Sequence, residues 1–137
     1  MQEHAPEIGP DNSLLIVDDD TAFRTRLARA MEKRGFAPLM AESVAEGLAV
    51  CRSRPPAYAV VDLRLEDGNG LDVVEALREA RPDAKIIVLT GYGAIATAVA
   101  AVKIGATDYL SKPADANDIT AALLATDDTL PPPPDNP

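Results

Sequence analysis

Three consecutive carboxylates follow an apolar run near the start of the chain, in the stretch LLIVDDDTAF of residues 14–23. Asp18, Asp19 and Asp20 repel one another, so a fold that places them together has to hold a positive species beside them. Clustered carboxylates suit a hard divalent cation, and Mg²⁺ commonly takes one or two carboxylates together with waters and phosphate oxygens. The stretch therefore indicates a Mg²⁺ site.

Other reactive side chains stand at the ends of later apolar runs. Asp62 ends YAVVD, Thr90 ends KIIVLT, and Lys112 follows DYLS. A lysine and a threonine hydroxyl suit phosphate oxygens, and a carboxylate beside Mg²⁺ can attack phosphorus to give an acyl phosphate. The chain has one histidine, His4, in the N-terminal tail. The phosphate donor is therefore expected to be another molecule.

The elements that position these residues alternate regularly. Short β-branched runs (LLIVD, YAVVD and KIIVLT, with APLMA and DYLS as weaker candidates) are separated by helical patterns. Strands that are almost wholly apolar are typical of a parallel sheet covered on both faces. Five βα units predict a doubly wound α/β fold with a five-stranded parallel sheet. Ligands bind beyond the carboxyl ends of such strands, so the site residues are predicted to converge on one edge.

The predicted helices carry apolar stripes, which we interpret as core packing. The stripes are Phe23, Leu27, Ala30 and Met31; Leu71, Val74 and Leu77, ending near Pro82; and Ile95, Val99 and Val102. Gly35 and Gly105 are predicted to close the first and fourth helices. Ser43 with Glu46 predicts a capping box that opens the second helix, which stops before Pro55. A fifth helix is predicted over residues 116–125.

Composition limits the partners. The chain has 137 residues, of which 13 are basic and 22 acidic, a formal charge of −9. Such a chain is repelled by nucleic acid and by anionic membranes. Cys51 is the only cysteine. This excludes an intramolecular disulfide and favours a buried, unreactive side chain. Neither a membrane-spanning run nor a signal peptide is present in these residues, which predicts a cytoplasmic location.

Residues 13–125 resemble the receiver domains of two-component response regulators, through Asp18-Asp19, Asp62, Thr90 and Lys112-Pro113. The resemblance implies a flavodoxin-like sheet of strand order 2-1-3-4-5. It also implies that Asp62 accepts a phosphoryl group from the phosphohistidine of a sensor histidine kinase. Such a protein dephosphorylates itself but is not a dedicated enzyme.

The resemblance also implies a role for each site residue. Asp19 and Asp62 would bind Mg²⁺ directly, Asp18 through water, and Arg64 through its backbone carbonyl. Asp20 lies outside this metal set, and we interpret it as a helix N-cap.

Phosphate contact and switching are assigned in the same way. Thr90 and Lys112 would contact the phosphoryl oxygens. Tyr109 matches the switch aromatic, which turns inward when Thr90 moves, so the face of helix 4, strand 5 and helix 5 is predicted to carry homodimerisation or output. Pro113 is a candidate for a cis peptide bond.

Longer stretches are similar to the RegA/PrrA/ActR group of redox-responsive alphaproteobacterial regulators. These are VVDLRLEDGNGLDVV, LTGYGAIATAVAAVKIGATDYLSKPAD and LPPPP. In that group a proline linker leads to a helix-turn-helix DNA-binding domain, and the partner is a membrane sensor kinase. We therefore expect a disordered tail over residues 1–12, a receiver domain over 13–125, and a linker over 126–137. The output domain, and with it DNA binding, would lie outside this sequence.

Three alternatives remain open. IVDDDTA nearly fits the D-x-D motif of a haloacid-dehalogenase-like phosphohydrolase, in which Asp18 would be the nucleophile. A pseudo-receiver would bind proteins without being phosphorylated. A stand-alone receiver would relay phosphate without an output domain.

Overall fold

The computed structural model describes residue 8, residues 10–91 and residues 95–125, without the side chain of Ile95. One parallel sheet forms its centre, with strands β1 (Ser13–Val17), β2 (Ala37–Ala41), β3 (Tyr58–Asp62), β4 (Lys85–Thr90) and β5 (Asp108–Ser111). Their spatial order is β2-β1-β3-β4-β5, which confirms the predicted doubly wound fold. The helices are α1 (Thr21–Lys33), α2 (Val44–Ser53), α3 (Leu71–Ala80), α4 (Ile95–Lys103) and α5 (Ala116–Leu124).

The side chains of each central strand alternate between two cores. On β1, Leu14 and Ile16 pack with α1 and α5, whereas Leu15 and Val17 pack with α2 and α3. Because both faces are covered, every residue from 14 to 17 is buried. Cys51 on α2 is buried as predicted, and burial raises the pKa of its thiol.

Helix starts agree with the sequence pattern, with one difference. Asp20 is the N-cap of α1 and accepts a hydrogen bond from the Phe23 amide at 3.1 Å, as predicted. Ser43 accepts from the Glu46 amide at 3.1 Å. The Glu46 carboxylate accepts from the amide of Glu42 at 2.9 Å. The second hydrogen bond of the predicted capping box therefore comes from the residue before Ser43 and not from Ser43 itself.

The predicted core stripe of α4 is wrong. Val99 and Val102 are 43% and 42% exposed, and the alanines Ala98 and Ala101 are fully buried. The side chain of Ile95 lies outside the described residues. Alanine lets the helix approach the sheet closely, and apolar residues occur all around IATAVAAVK, so spacing could not identify the buried face.

Two residues of the predicted N-terminal tail contact the folded domain. Asn12 hydrogen-bonds through its side chain to the Gly35 carbonyl at 2.9 Å, and Asp11 pairs with Arg81 at 2.7 Å. Hydrogen bonds from the Ser13 amide and from Arg81 lower the pKa of Asp11 to about 2. Residues 1–7 and residue 9 of the predicted tail, with His4 among them, and the predicted linker over 126–137 lie outside the described residues. In the part of the chain that is described, the helices are too short or too polar to cross a bilayer.

Candidate functional site

Two of the predicted aspartates meet because β1 and β3 are adjacent strands. Val17 of β1 pairs with Val61 of β3, so Asp18 and Asp62 follow at the same height of the sheet. Asp18 is 1% exposed and Asp62 is 6% exposed. Carboxylate oxygens of Asp18, Asp19 and Asp62 all lie within 4.8 Å of one another. The predicted convergence at the carboxyl edge is therefore present in the fold.

Lys112 joins this cluster from beyond β5. Its ammonium lies 3.2 Å from Asp18 Oδ2 and 3.1 Å from Asp62 Oδ2. It also lies 5.3 Å from the centre of the Phe23 ring, a favourable cation–π distance. The Lys112 amide donates to the Thr90 carbonyl at 2.8 Å, which fixes the start of the loop that carries the side chain.

Burial and charge determine the protonation of this group. Burial is the largest effect on Asp18 and raises the pKa of its carboxyl. The Asp20 amide and Lys112 oppose the rise, and the charge of Asp62 adds to it. Burial also acts to lower the pKa of Lys112, but the hydrogen bond to Asp62 and the two carboxylate charges outweigh it, and the pKa is raised. The lysine is therefore protonated at neutral pH, and positive charge near Asp18 favours the ionised form of its carboxyl.

The donor set fits a hard divalent cation. Among the described residues, Lys112 is the only cation within ion-pair distance of these carboxylates, so three carboxyl groups face one ammonium. Asp19 is the least buried of the three, which leaves a side through which a hydrated ion can enter. Oxygen ligands in this arrangement match the coordination that Mg²⁺ and Ca²⁺ prefer.

Asp62 is held through both carboxylate oxygens. Oδ2 accepts from Lys112, and Oδ1 accepts from the Arg64 amide at 3.1 Å. These contacts fix the plane of the carboxylate at the end of β3. The Asp62 side chain therefore has little rotational freedom left.

Thr90 and Tyr109 lie on one face of the sheet. Thr90 ends β4 and is 2% exposed. Tyr109 of β5 pairs with Val88 of β4, two residues before Thr90, so both side chains project toward the α2–α3–α4 side. Tyr109 is half-buried and packs against that core. The Lys112–Pro113 peptide bond is cis.

The loop after β3 contains structure that the sequence pattern did not predict. Arg64–Leu65 and Gly68–Asn69 form a short antiparallel pair. Asp67 reaches α2, where its carboxylate accepts from the amides of Val44 at 2.9 Å and Ala45 at 3.2 Å. Ordinary turn residues in LEDGNG gave no sign of this contact, since its partners lie more than 20 residues earlier in the chain.

Arg24 was also missed, although the sequence contains a signal for it. It shares the buried face of α1 with Leu27, Ala28 and Met31. A charged residue at an apolar position of a helix stripe indicates a buried group with a polar partner. The guanidinium hydrogen-bonds to the backbone carbonyl of Asp18.

The sequence matches the family model for the response regulator receiver domain over residues 14–124. The protein belongs to this receiver family. The predicted resemblance to receiver domains is confirmed. The family assignment also argues against the haloacid-dehalogenase alternative.

Curated relatives define the group within the receiver family. The domain is 77% identical over 137 residues to the photosynthetic apparatus regulatory protein RegA of Rhodovulum sulfidophilum, covering all of this chain and 75% of that protein. It is 68% identical over 130 residues to the acid tolerance regulatory protein ActR of Rhizobium meliloti, covering 95% of this chain and 67% of that protein. The predicted similarity to the RegA and ActR regulators is confirmed.

Solved receiver structures share the fold. A response regulator from Burkholderia pseudomallei, crystallised with a phosphorylated aspartic acid, a calcium ion and citrate, is 44% identical with a TM-score of 0.78. The match covers 82% of this receiver and 66% of that chain. A CheY-like receiver domain from Methanospirillum hungatei is 32% identical with a TM-score of 0.75, over 80% of this chain and 87% of that one.

Proposed function

We propose that Asp62 is the phosphoacceptor of a two-component pathway and that a sensor histidine kinase is the donor. The observation that carries this proposal is the pairing of Lys112 with both Asp18 and Asp62 inside a cluster of three carboxylates. The phosphorylated aspartic acid and calcium ion of the Burkholderia pseudomallei relative support the same chemistry. In this proposal the domain is a substrate of the kinase and dephosphorylates itself. It is not a dedicated enzyme.

The proposed transfer is a displacement at phosphorus. A carboxylate oxygen of Asp62 forms the new P–O bond as the P–N bond of the phosphohistidine breaks, and the imidazole leaves with the electron pair and takes up a proton. Lys112 and the Thr90 hydroxyl contact the phosphoryl oxygens. Asp19 and Asp62, the carbonyl of Arg64, and Asp18 through water would hold Mg²⁺. When bound, this ion supplies positive charge that offsets the charge of the phosphoryl group.

Phosphate uptake from a small donor tests the function. Intact mass after incubation with acetyl phosphate and Mg²⁺ is expected to rise by one phosphate, about 80 Da. EDTA should abolish the gain and excess Mg²⁺ should restore it, because the single ammonium of Lys112 does not offset three carboxylates and an incoming anion. A gain that persists in EDTA would contradict the metal site. If the protein gains no mass from either acetyl phosphate or phosphoramidate, the result would favour the pseudo-receiver alternative.

We further propose that phosphorylation draws Thr90 inward and changes the orientation of Tyr109. The added charge of about −1.5 to −2 gives the Thr90 hydroxyl and Lys112 new acceptors. Tyr109 lies on the same face as Thr90 and packs on the core beside α4. A change in this core alters the surface of α4, β5 and α5, through which the domain would dimerise or reach an output domain beyond the proline linker. DNA binding would belong to that output domain, in the cytoplasm.

Exposed valines on α4 make dimerisation testable. Val99 and Val102 present apolar surface at the proposed face. In the presence of beryllofluoride and Mg²⁺, wild-type protein is expected to dimerise in analytical ultracentrifugation. Val102→Glu should weaken the dimer about tenfold or more, since a two-fold interface would bring two buried charges together.

Met40→Ser is the matched control for this experiment. Met40 is 52% exposed on the β2 edge, away from α4. Its substitution should leave the dimer unchanged. Equal weakening by both substitutions would show that general surface hydrophobicity, and not the α4 face, drives association.

A further inference from the structure

Arg24 holds the peptide bond that joins two proposed metal ligands. The carbonyl of Asp18 belongs to the peptide between Asp18 and Asp19, and it accepts a hydrogen bond from Arg24 Nη1. The orientation of this peptide plane sets ψ of Asp18 and φ of Asp19, the two angles that determine how the carboxylates diverge. A donor fixed on this carbonyl therefore fixes the relative direction of both side chains.

The sheet does not provide that donor. The Asp18 amide still bonds to the Ala41 carbonyl of β2 at 3.1 Å, but the paired residues of β1 end at Val17. Asp18 is 1% exposed, so its carbonyl has little access to water. A buried carbonyl without a donor is destabilising, and such a loop would rearrange to find one.

Arg24 is itself held in place. It is 9% exposed on the inner face of α1. Its Nη2 lies 3.7 Å from Glu42 Oε1 and 3.5 Å from Thr21 Oγ1. The planar guanidinium thus connects the loop after β1 with the loop after β2, an arrangement that a single ammonium cannot reproduce.

We propose that Arg24 is a positioning residue for divalent cation binding, acting through the Asp18–Asp19 peptide. The inference rests on the proposed metal site. Residues that orient metal ligands typically change the metal affinity 10- to 100-fold when they are replaced. We expect a loss of about tenfold for Arg24→Lys, because the lysine keeps the charge but not the fork of donors.

Charge and geometry predict opposite effects for Arg24→Met. This substitution removes a positive charge near the cation site and releases Glu42, and both changes would strengthen cation binding by Coulomb attraction alone. A positioning role predicts weaker binding in spite of this gain. The sign of the change therefore separates the two mechanisms.

The test measures Mn²⁺ binding to the 137-residue chain, with the free ion detected by electron paramagnetic resonance. Circular dichroism at the same temperature checks that each variant is folded. Arg78→Lys and Arg78→Met are the matched controls, because Arg78 donates to the Gly105 carbonyl at 2.9 Å and to the Pro82 carbonyl, away from the cluster. The proposal predicts Kd increases of about tenfold for folded Arg24 variants and unchanged Kd for Arg78 variants.

Other outcomes have distinct meanings. Unchanged or tighter binding by folded Arg24→Lys, with wild-type binding intact, would overturn the positioning role but not the proposed function. Equal losses in Arg24 and Arg78 variants would also overturn it, since they would indicate general loosening of the fold. Wild-type protein that fails to bind Mn²⁺ would overturn the proposed metal site together with this inference. If Arg24→Met does not fold, Arg24→Lys decides the question.

Discussion

Asp62→Asn is expected to abolish phosphate uptake from acetyl phosphate completely. The amide oxygen is a poor nucleophile, and the substitution also removes one carboxylate from the cluster of Asp18, Asp19 and Asp62. Asp18→Asn should retain uptake at high Mg²⁺ and require about tenfold more of the ion, because Asp62 and its bond to Lys112 remain. Intact mass at several Mg²⁺ concentrations, with peptide mapping of the phosphate, measures both effects.

Asp67→Asn provides the control for these substitutions. Asp67 lies in the loop that follows Asp62, but its carboxylate accepts from α2 amides and lies outside the three-carboxylate cluster. Its replacement should leave phosphate uptake near the wild-type rate. Phosphate uptake that persists in Asp62→Asn and is lost in Asp18→Asn would contradict Asp62 as the acceptor. It would favour the phosphohydrolase alternative, in which Asp18 is the nucleophile.

Gly70→Ala is expected to lower the free energy of unfolding by about 2–3 kcal/mol, because it overpacks the loop against the end of β3, where Asp62 lies. A Cβ at Gly70 would lie 2.4 Å from the Asp62 carbonyl oxygen and 2.8 Å from Val61 Cγ1. The backbone at Gly70 is right-handed helical, so the effect is steric and not conformational. Movement of the loop to relieve the contact would displace the acceptor, and phosphate uptake should slow at least about tenfold, the minimum we expect from a shift of about 1 Å. Urea unfolding and mass spectrometry test the two effects separately.

Gly91→Ala is the matched control for this prediction. A Cβ at Gly91 meets no described atom within 4 Å. Its unfolding free energy should change by no more than about 0.5 kcal/mol. If Gly70→Ala were as stable as Gly91→Ala and phosphorylated at the wild-type rate, the close packing of Gly70 on Asp62 would have no functional role.

The proposed site was largely predictable because each residue follows a local pattern. Asp18, Asp62 and Thr90 come at the ends of buried apolar runs, and parallel strands bring such ends to one edge. Asp20 could be recognised as an N-cap from its position before a helix. In these cases burial pattern and capping are properties of a few consecutive residues, so the sequence alone contains the information.

Only the tertiary structure decided which contacts connect distant segments. The Asp67 carboxylate caps α2, Arg81 holds Asp11, and Arg24 supplies a donor to the Asp18 carbonyl. Such bonds depend on how loops from different strands approach one another. Local propensity does not contain that information.

The α4 face was decided in the same way. Sequence periodicity favoured Val99 and Val102 as core residues, but the fold buries Ala98 and Ala101 and leaves the valines exposed. In a short helix with apolar residues on every side, the sequence does not define which face is buried. Packing against the sheet decides it, and in α4 the small alanine side chains let the helix lie closest to the sheet. The sequence by itself therefore determined the architecture and the residues of the proposed site. The packing of α4 against the sheet determined which of its apolar side chains stay exposed.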